Sequence, residues 1–404
     1  MRCSACIAVI STAYTAYAQT PLSTETLVQK AAQIAHQLRT TFPDSNLALV
    51  PQPFWWWQSG IVTNALLTYG FVTHDTQYLE LTKNTLLSQA TPANDFMTGF
   101  ASGNDDQAWW ALSALTGAEN NVPEPADAPT FLSLAQNVFN EQKARWDTAT
   151  CGGGMQFKVN PALGERGAGY KSTIANGLFF QLAARLGKFT GDAEALAWAE
   201  KSYDWVTSVG FIDGEFNVHD GVDDGTACKE VNQDMWSYNV GAFLYGAAVM
   251  SQQSGEAKWR ERTQGLLGAT KRNFVRDGEL RETLCEGPEA RQPCSLDQVS
   301  FKGILARWLG ATAVVMPELK DDIAAVLEGA AEVAQSRWTV GMTAMEHYVA
   351  LETVNAAVKV RGDAAPADGM IGADSSFSGP DSASRNLAKA PVKRSVAGRV
   401  VWEQ

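Results

Sequence analysis

Gly103-Asn104-Asp105-Asp106-Gln107-Ala108-Trp109-Trp110-Ala111-Leu112-Ser113-Ala114-Leu115 is polar at its start and apolar on every face thereafter. A helix of that kind must be buried nearly all round. Outward from it, apolar residues recur at i, i+3, i+4 spacing in twelve segments. These are residues 24–41, 55–71, 75–90, 104–117, 129–146, 171–188, 192–209, 234–253, 256–274, 297–313, 317–337 and 342–360. The segments starting at 24, 75, 129, 192, 256 and 317 carry Gln, Glu, Lys and Arg on one face. Those starting at 55, 104, 171, 234, 297 and 342 are rich in Gly, Ala and aromatics. The two kinds alternate strictly, which predicts an all-α fold, an (α/α)6 toroid with six inner and six outer helices. An irregular all-α bundle is the alternative. Gly60, Gly177, Gly241, Gly246 and Gly303 fall on inner segments, where close packing leaves no room for a side chain. One short strand is expected at residues 215–218.

In a toroid the inner helix starts converge at one end, so polar residues at those starts are the candidate site. Asp105 and Asp106 come first. Adjacent carboxylates repel, and a close carboxylate pair is what glycosidic bond cleavage requires, one as nucleophile and one as general acid/base. The plainer reading is a cap and a charge favouring the positive helix end. That accounts for one aspartate better than for two. Beside them stand Asn104 and Gln107. The other starts contribute Trp56 and Trp57, Tyr170 and Lys171 with Asn176, Trp236, Tyr238 and Asn239, and Asp297; Trp109 lies one turn inside the fourth helix. These are the expected substrate contacts, with caps and core packing as the competing roles. Adjacent residues of a helix point about 100° apart, so only one ring of each aromatic pair can face a cleft.

The chain has 404 residues, 45% hydrophobic and 10% aromatic, enough for a large core, and thirteen tryptophans to share between core and sugar platforms. A net charge of −12 excludes a nucleic-acid binder, which needs a basic face, and favours a neutral ligand. Residues 164–172 resemble a phosphate loop but place Tyr170 where the second glycine belongs. The acidic loop at Asp220, Asp223 and Asp224 lacks the closing glutamate of a calcium hand. His36, His74, His219 and His347 have no ligand spacing, and no metal or cofactor is called for.

Residues 1–18 read as a secretory signal ending at Ala16-Tyr17-Ala18. Cys3 and Cys6 leave with it. Cys151, Cys228, Cys285 and Cys294 then suit two disulfides; of three connectivities, Cys285–Cys294 with Cys151–Cys228 is favoured. Residues 19–360 form the catalytic unit. Residues 361–404 have the composition of a disordered tail and no hydrophobic terminus for a glycolipid-anchor signal. No apolar run is long enough to span a membrane.

Several blocks occur in one order: GNDDQAWWALSAL, Arg145-Trp146-Asp147 with Cys151-Gly152-Gly153-Gly154, YKSTIANGLFFQLAARL, Asp220-Gly221, MWSYNVGAFLYGAA, Cys285-Glu286 and DQVSFKGILARWL. Over residues 52–309 the chain resembles glycoside hydrolase family 76, in particular its fungal cell-wall branch. The resemblance implies an (α/α)6 barrel and endo-α-1,6-mannanase chemistry with retention. It implies Asp105 as nucleophile and Asp106 as acid/base. The expected partner is α-1,6-mannan or another mannose-containing glycan, and the expected location is secreted or at the cell wall, as a monomer. The alternative is a transglycosylase that moves glycolipid-anchor mannan onto a wall glucan acceptor. A non-catalytic mannan-binding wall protein would not need the carboxylate pair. A sugar epimerase of the same fold would want histidines at the site, and a uronide hydrolase more cations.

Overall fold

The computed structural model describes residues 22–162, 165, 167–288 and 290–362. The proposed signal, Cys3, Cys6 and nearly all of the tail lie outside them. Among the described residues there are twelve α-helices: α1 (Thr24–Thr40), α2 (Trp56–Thr73), α3 (Leu79–Gln89), α4 (Asn104–Glu119), α5 (Phe131–Ala144), α6 (Thr173–Thr190), α7 (Ala193–Ser208), α8 (Ser237–Ser254), α9 (Ala257–Phe274), α10 (Gln298–Val315), α11 (Lys320–Arg337) and α12 (Ala344–Arg361).

The even-numbered helices form the inner ring. Each packs on the next, α2 on α4, α4 on α6, α6 on α8, α8 on α10, α10 on α12, and α12 closes the circle on α2. The odd-numbered helices pack outside it. α1 shows why. Its buried residues Leu27, Ala31, Ile34, Ala35 and Leu38 form a single stripe, and Ser23 caps its start by accepting from Thr26 N at 3.1 Å. α6 by contrast is buried from Thr173 through Gly187 without a polar face. The fold is the expected (α/α)6 toroid.

Inner helices approach closely at glycine. A methyl on Gly303 would stand 3.0 Å from Val349 Cα of α12, and one on Gly246 would overlap the Phe180 ring of α6. Phe180 has nowhere to go, since Phe243, Tyr203 and Trp259 surround it. Gly246→Ala is therefore expected to cost about 1–3 kcal/mol, the usual range for overpacking a tight core. Denaturant unfolding checks it.

Two small sheets decorate the site end. β1 (Tyr170–Ser172), β2 (Gly221–Asp223) and β3 (Val231–Asn232) pair antiparallel in that order. β4 (Val275–Arg276) and β5 (Glu279–Leu280) form a hairpin. Residues 170–172 are thus strand where Lys171 and Ser172 were expected to open a helix; α6 starts at Thr173. The strand expected at residues 215–218 is absent. Asp213 Oδ1 accepts from Glu215 N at 2.8 Å and Asn217 N at 2.9 Å, and Phe216 has φ 62°, so the segment is a turn closed by a single Ile212–Val218 bridge. Cys151 is bonded to Cys228 and Cys285 to Cys294. None of the described helices is long and apolar enough to cross a membrane.

Candidate active site

The connections that run from an outer helix into an inner one all lie at one end of the toroid, and the inner helix starts meet there. α4 sets the geometry. Gly103 precedes it, and a side chain at that position would collide with Asp105 Oδ1. Asn104 locks the start in place. Its N donates to Phe157 O (2.8 Å), its Nδ2 to Gln156 O (2.8 Å), and its Oδ1 accepts from Arg145 Nε (2.8 Å). Gln107 donates to Glu141 (2.7 Å) and accepts from Arg145.

The two aspartates that follow have different surroundings. Asp106 is half-buried. Its Oδ2 accepts from Gly103 N (2.8 Å), Ser102 N (2.9 Å) and Ser102 Oγ (3.3 Å), which makes it the reciprocal cap of its own helix. Asp105 is buried, and its Oδ1 has no hydrogen-bond partner. Burial pushes both carboxyls up. Asp105 goes well above the ordinary range, driven next by the Asp106 charge. The amides at residues 102 and 103 hold Asp106 back, helped by the Lys158 ammonium. In the free protein the proton on the pair therefore favours Asp105.

Other carboxylates face the pair. Asp297 stands at the start of α10, and burial lifts it to about 6 against the opposing Trp57 indole N–H, with the Asp106 charge adding to the rise. Asp220, in the connection before β2, accepts from Tyr170 Oη (2.7 Å) and Asn232 Nδ2 (3.2 Å), and burial raises it too. Tyr238 lies between them, close enough that Asp220, Asp105 and Asp297 all suppress its ionisation after burial has done so. Its ring stacks on Phe301 at 3.7 Å. Asn239 is fully buried with neither side-chain atom hydrogen-bonded, and its carboxamide faces Asp220. Beneath this layer Trp109 stacks on Trp57 (5.4 Å) and Trp308 (5.8 Å), a floor rather than an exposed platform. Trp236 packs edge-on against Phe301 and stays half-buried. No three of the described carboxylates converge closely enough to ligate a metal ion.

Five of the expected contacts serve the scaffold instead. Asn104 and Gln107 point away from the cleft toward α5, as above. Lys171 is fully buried, paired with Asp147 (2.9 Å) and donating to Thr150 O (2.8 Å). Asn176 is used up on Met155 N (2.8 Å), Met155 O (3.0 Å) and Ser172 O (2.9 Å). Trp56 is buried against Trp110 (5.1 Å) and bonded to Gln89. Asp220 was missed; the Asp220-Gly221 block was its one signal.

A buried carboxyl also anchors α8, the helix that carries Tyr238 and Asn239. Glu282 is fully buried and accepts from Ser237 N (3.2 Å) and Ser237 Oγ, and burial lifts it from near 4.5 to about 8. The folded protein holds that proton more tightly than the unfolded chain does. Its contribution to stability is full below about pH 4.5 and is lost as pH rises toward 8. Glu282→Gln is expected to flatten that fall, read as denaturant midpoints at pH 5 and pH 8.

Fold and site together define a member of the helical-toroid class with a carboxylate cleft at the inner helix starts. Within that class the chain belongs to Glycosyl hydrolase family 76, whose family model matches residues 24–364. It is 36% identical over 294 residues to mannan endo-1,6-alpha-mannosidase DCW1 of Saccharomyces cerevisiae, covering 71% of this chain and 64% of that one. The Candida glabrata DCW1 is 37% identical over 283 residues, 69% of this chain and 62% of its own. The matches thus span less than two thirds of these relatives' length. Among solved structures, Dfg5 from Chaetomium thermophilum in complex with glucosamine superposes with a TM-score of 0.79 at 30% identity, covering 85% of this chain and 92% of that one. An inactive variant of the Salegentibacter alpha-1,6-mannanase, in complex with alpha-1,6-mannotriose, shares the fold (TM-score 0.69, 19% identity, 83% of this chain and 99% of that one).

Proposed function

We propose that the protein is a retaining endo-glycosidase that cleaves α-1,6-mannosidic linkages, working outside the cell or at the cell wall. The observation that carries this is the buried Asp105/Asp106 pair at the start of α4, one member held by three donors and the other by none on its Oδ1. Asp105 attacks the anomeric carbon while Asp106 gives its proton to the glycosidic oxygen, and that C–O bond breaks. The leaving glycan departs as an alcohol, and a glycosyl ester remains on Asp105. Asp106, now a carboxylate, takes the proton of an incoming hydroxyl as its oxygen attacks the same carbon and frees Asp105. Two inversions give net retention.

In the free protein the proton favours Asp105, so this assignment requires it to pass to Asp106 as the glycan docks. A sugar hydroxyl donating to the orphan Oδ1 would stabilise the Asp105 charge and drive that transfer. Asp220, Asp297, Tyr238 and Asn239 supply polar contacts around the sugar. The names of the relatives support the mannan assignment, and the inactive Salegentibacter variant replaces two consecutive aspartates by asparagine. Two disulfides support an oxidising compartment, in keeping with residues 1–18 as an export signal ahead of a monomeric catalytic unit.

Transfer to a glucan hydroxyl instead of water is the second reading. The glycosyl ester on Asp105 can be opened by any hydroxyl that reaches the anomeric carbon, a sugar's as well as water's. Incubation with α-1,6-mannan, with and without a β-glucan acceptor, separates the two. Shortened mannan alone means hydrolysis, a mixed mannan–glucan product means transfer, and no change in the mannan sinks both.

A further inference from the structure

Trp55 is the tryptophan left over from the Trp55-Trp56-Trp57 run. Its neighbours are buried, whereas Trp55 is 51% exposed. Every other described tryptophan is buried or half-buried. Trp55 is the residue on which α2 begins. The next two rings reach the first turns of α4, Trp56 on Trp110 and Trp57 on Trp109, each one turn below Asp106 and Asp105. Trp55 therefore stands on the rim of the cleft, on the helix next to the one that carries the pair. Packed helices are about 8–10 Å apart, so the ring is about one or two sugar units from the carboxylates.

Other large apolar side chains are exposed at the same end of the toroid. Leu296 and Val340 are large, exposed hydrophobics, and they lie in the connections leading into α10 and α12; α12 packs beside α2, and α10 is the next inner helix round the ring. The facing sector, at α6 and α8, carries Tyr170, Asp220, Asn232 and Asn239. One wall thus offers hydrogen bonds, and the other carries exposed apolar side chains among polar ones. Single exposed apolar side chains need no explanation, but three along one side of a cleft mouth do.

Trp55 is also held in place. Its N donates to Gln58 Oε1 (2.8 Å), and Gln58, fully buried, donates onward to Leu296 O (2.9 Å). The clamp ties the start of α2 to the connection before α10, so a ligand need not order that backbone on arrival.

We infer that Trp55 is a stacking platform for a hexose ring of the bound glycan, one or two units from the bond that is cut. The inference rests on the mannan reading above and adds a subsite to it. A pyranose has a face of C–H groups that covers an exposed indole while its hydroxyls stay in water. Because the platform holds a distal unit, its effect must grow with chain length.

The test measures binding of α-1,6-mannobiose through α-1,6-mannohexaose by calorimetry in the Asp105→Asn background, with Trp55, Trp55→Ala or Trp55→Phe, and follows mannan cleavage with Asp105 intact. The expected result is a loss of affinity in Trp55→Ala that increases with length to about tenfold, most of it restored by Trp55→Phe. Equal affinities for Trp55 and Trp55→Ala at every length, in chains that still cleave mannan, would overturn the platform and leave the mannan reading standing. If chains with Trp55 neither bind nor cleave the α-1,6-linked series, the mannan reading falls and this subsite falls with it.

Discussion

Asp105→Asn and Asp106→Asn are both expected to lose cleavage of α-1,6-mannan by at least about 10³-fold, and to move stability in opposite directions. The activity loss follows from chemistry. Without the Asp105 carboxylate no glycosyl ester forms, and without the Asp106 proton the leaving oxygen departs as an alkoxide. The stability difference follows from the surroundings. Asp105 is buried beside the Asp106 charge and must keep at neutral pH a proton that the unfolded chain gives up, so a neutral amide removes that cost. A gain of about 1–2 kcal/mol is expected, the usual size when a strained functional group is neutralised. Asp106 accepts from two backbone amides and a hydroxyl at the start of α4. Asparagine accepts these more weakly and gives up the charge at the positive helix end, so a loss of about 0.5–2 kcal/mol is expected. Thermal midpoints measured beside initial rates check both halves. Two variants that are equally inactive and equally destabilised would mean that the pair is not divided as described.

Arg307→Ala is expected to cost about 3–5 kcal/mol, the range for leaving a buried charge without its partner. Arg307 reaches across three inner helices. From α10 its Nε donates to Glu352 Oε1 of α12 (2.8 Å), and its Nη2 donates to the same carboxylate, to Ile61 O of α2 (2.7 Å) and to Tyr348 Oη (3.2 Å). Glu352 is fully buried, and burial already pushes it up against the pull of Arg307. Removing the guanidinium strands that carboxylate, while the Ile61 carbonyl keeps its own bond within α2. Replacing both members, Arg307→Met with Glu352→Leu, should recover most of the loss, because the desolvation cost then disappears with the pair. Guanidinium unfolding of the single and double variants reads this directly. A single variant within about 1 kcal/mol of the unsubstituted protein would show the cluster to be wet rather than buried.

The helical ladder was legible because burial on all sides and burial on one side leave different compositions. α6 and α1 differ in sequence as they differ in place. What was not legible was pairing between distant residues. Tyr170 and Asp223 form a ladder across fifty-three positions, and no local period announces three residues of strand. The turn at Asp213 was hidden for a similar reason, since an aspartate that accepts from amides two and four residues ahead overrides the alternation around it.

The candidate site divides along the same line. Asp105 and Asp106 stood out because adjacent carboxylates at a helix start are rare and costly. Asn104 and Gln107 flank them in sequence but turn to the far side of the same helix, where Arg145 holds both. Lys171 and Asn176 were attractive as polar residues at an inner start, yet each is spent on loop carbonyls and amides. Asp220 sits in a connection whose path depends on β2, so its approach to Asn239 could be found only in three dimensions. In the tryptophan run the direction of each ring decided its role. Trp56 and Trp57 went inward and Trp55 outward, a choice that composition does not record.

The roles within the pair came with the family resemblance, and the structure adds a constraint to them. Burial and the missing donor leave the proton on Asp105, while the cap leaves the charge on Asp106. The mechanism works only if substrate reverses this, which makes the covalent step the place to look. Proton NMR of the first sugar released from α-1,6-mannan, recorded before mutarotation, tests that step most directly. Attack by Asp105 followed by water predicts the α-anomer as the initial product. An initial β-anomer, or no release of sugar at all, would contradict it.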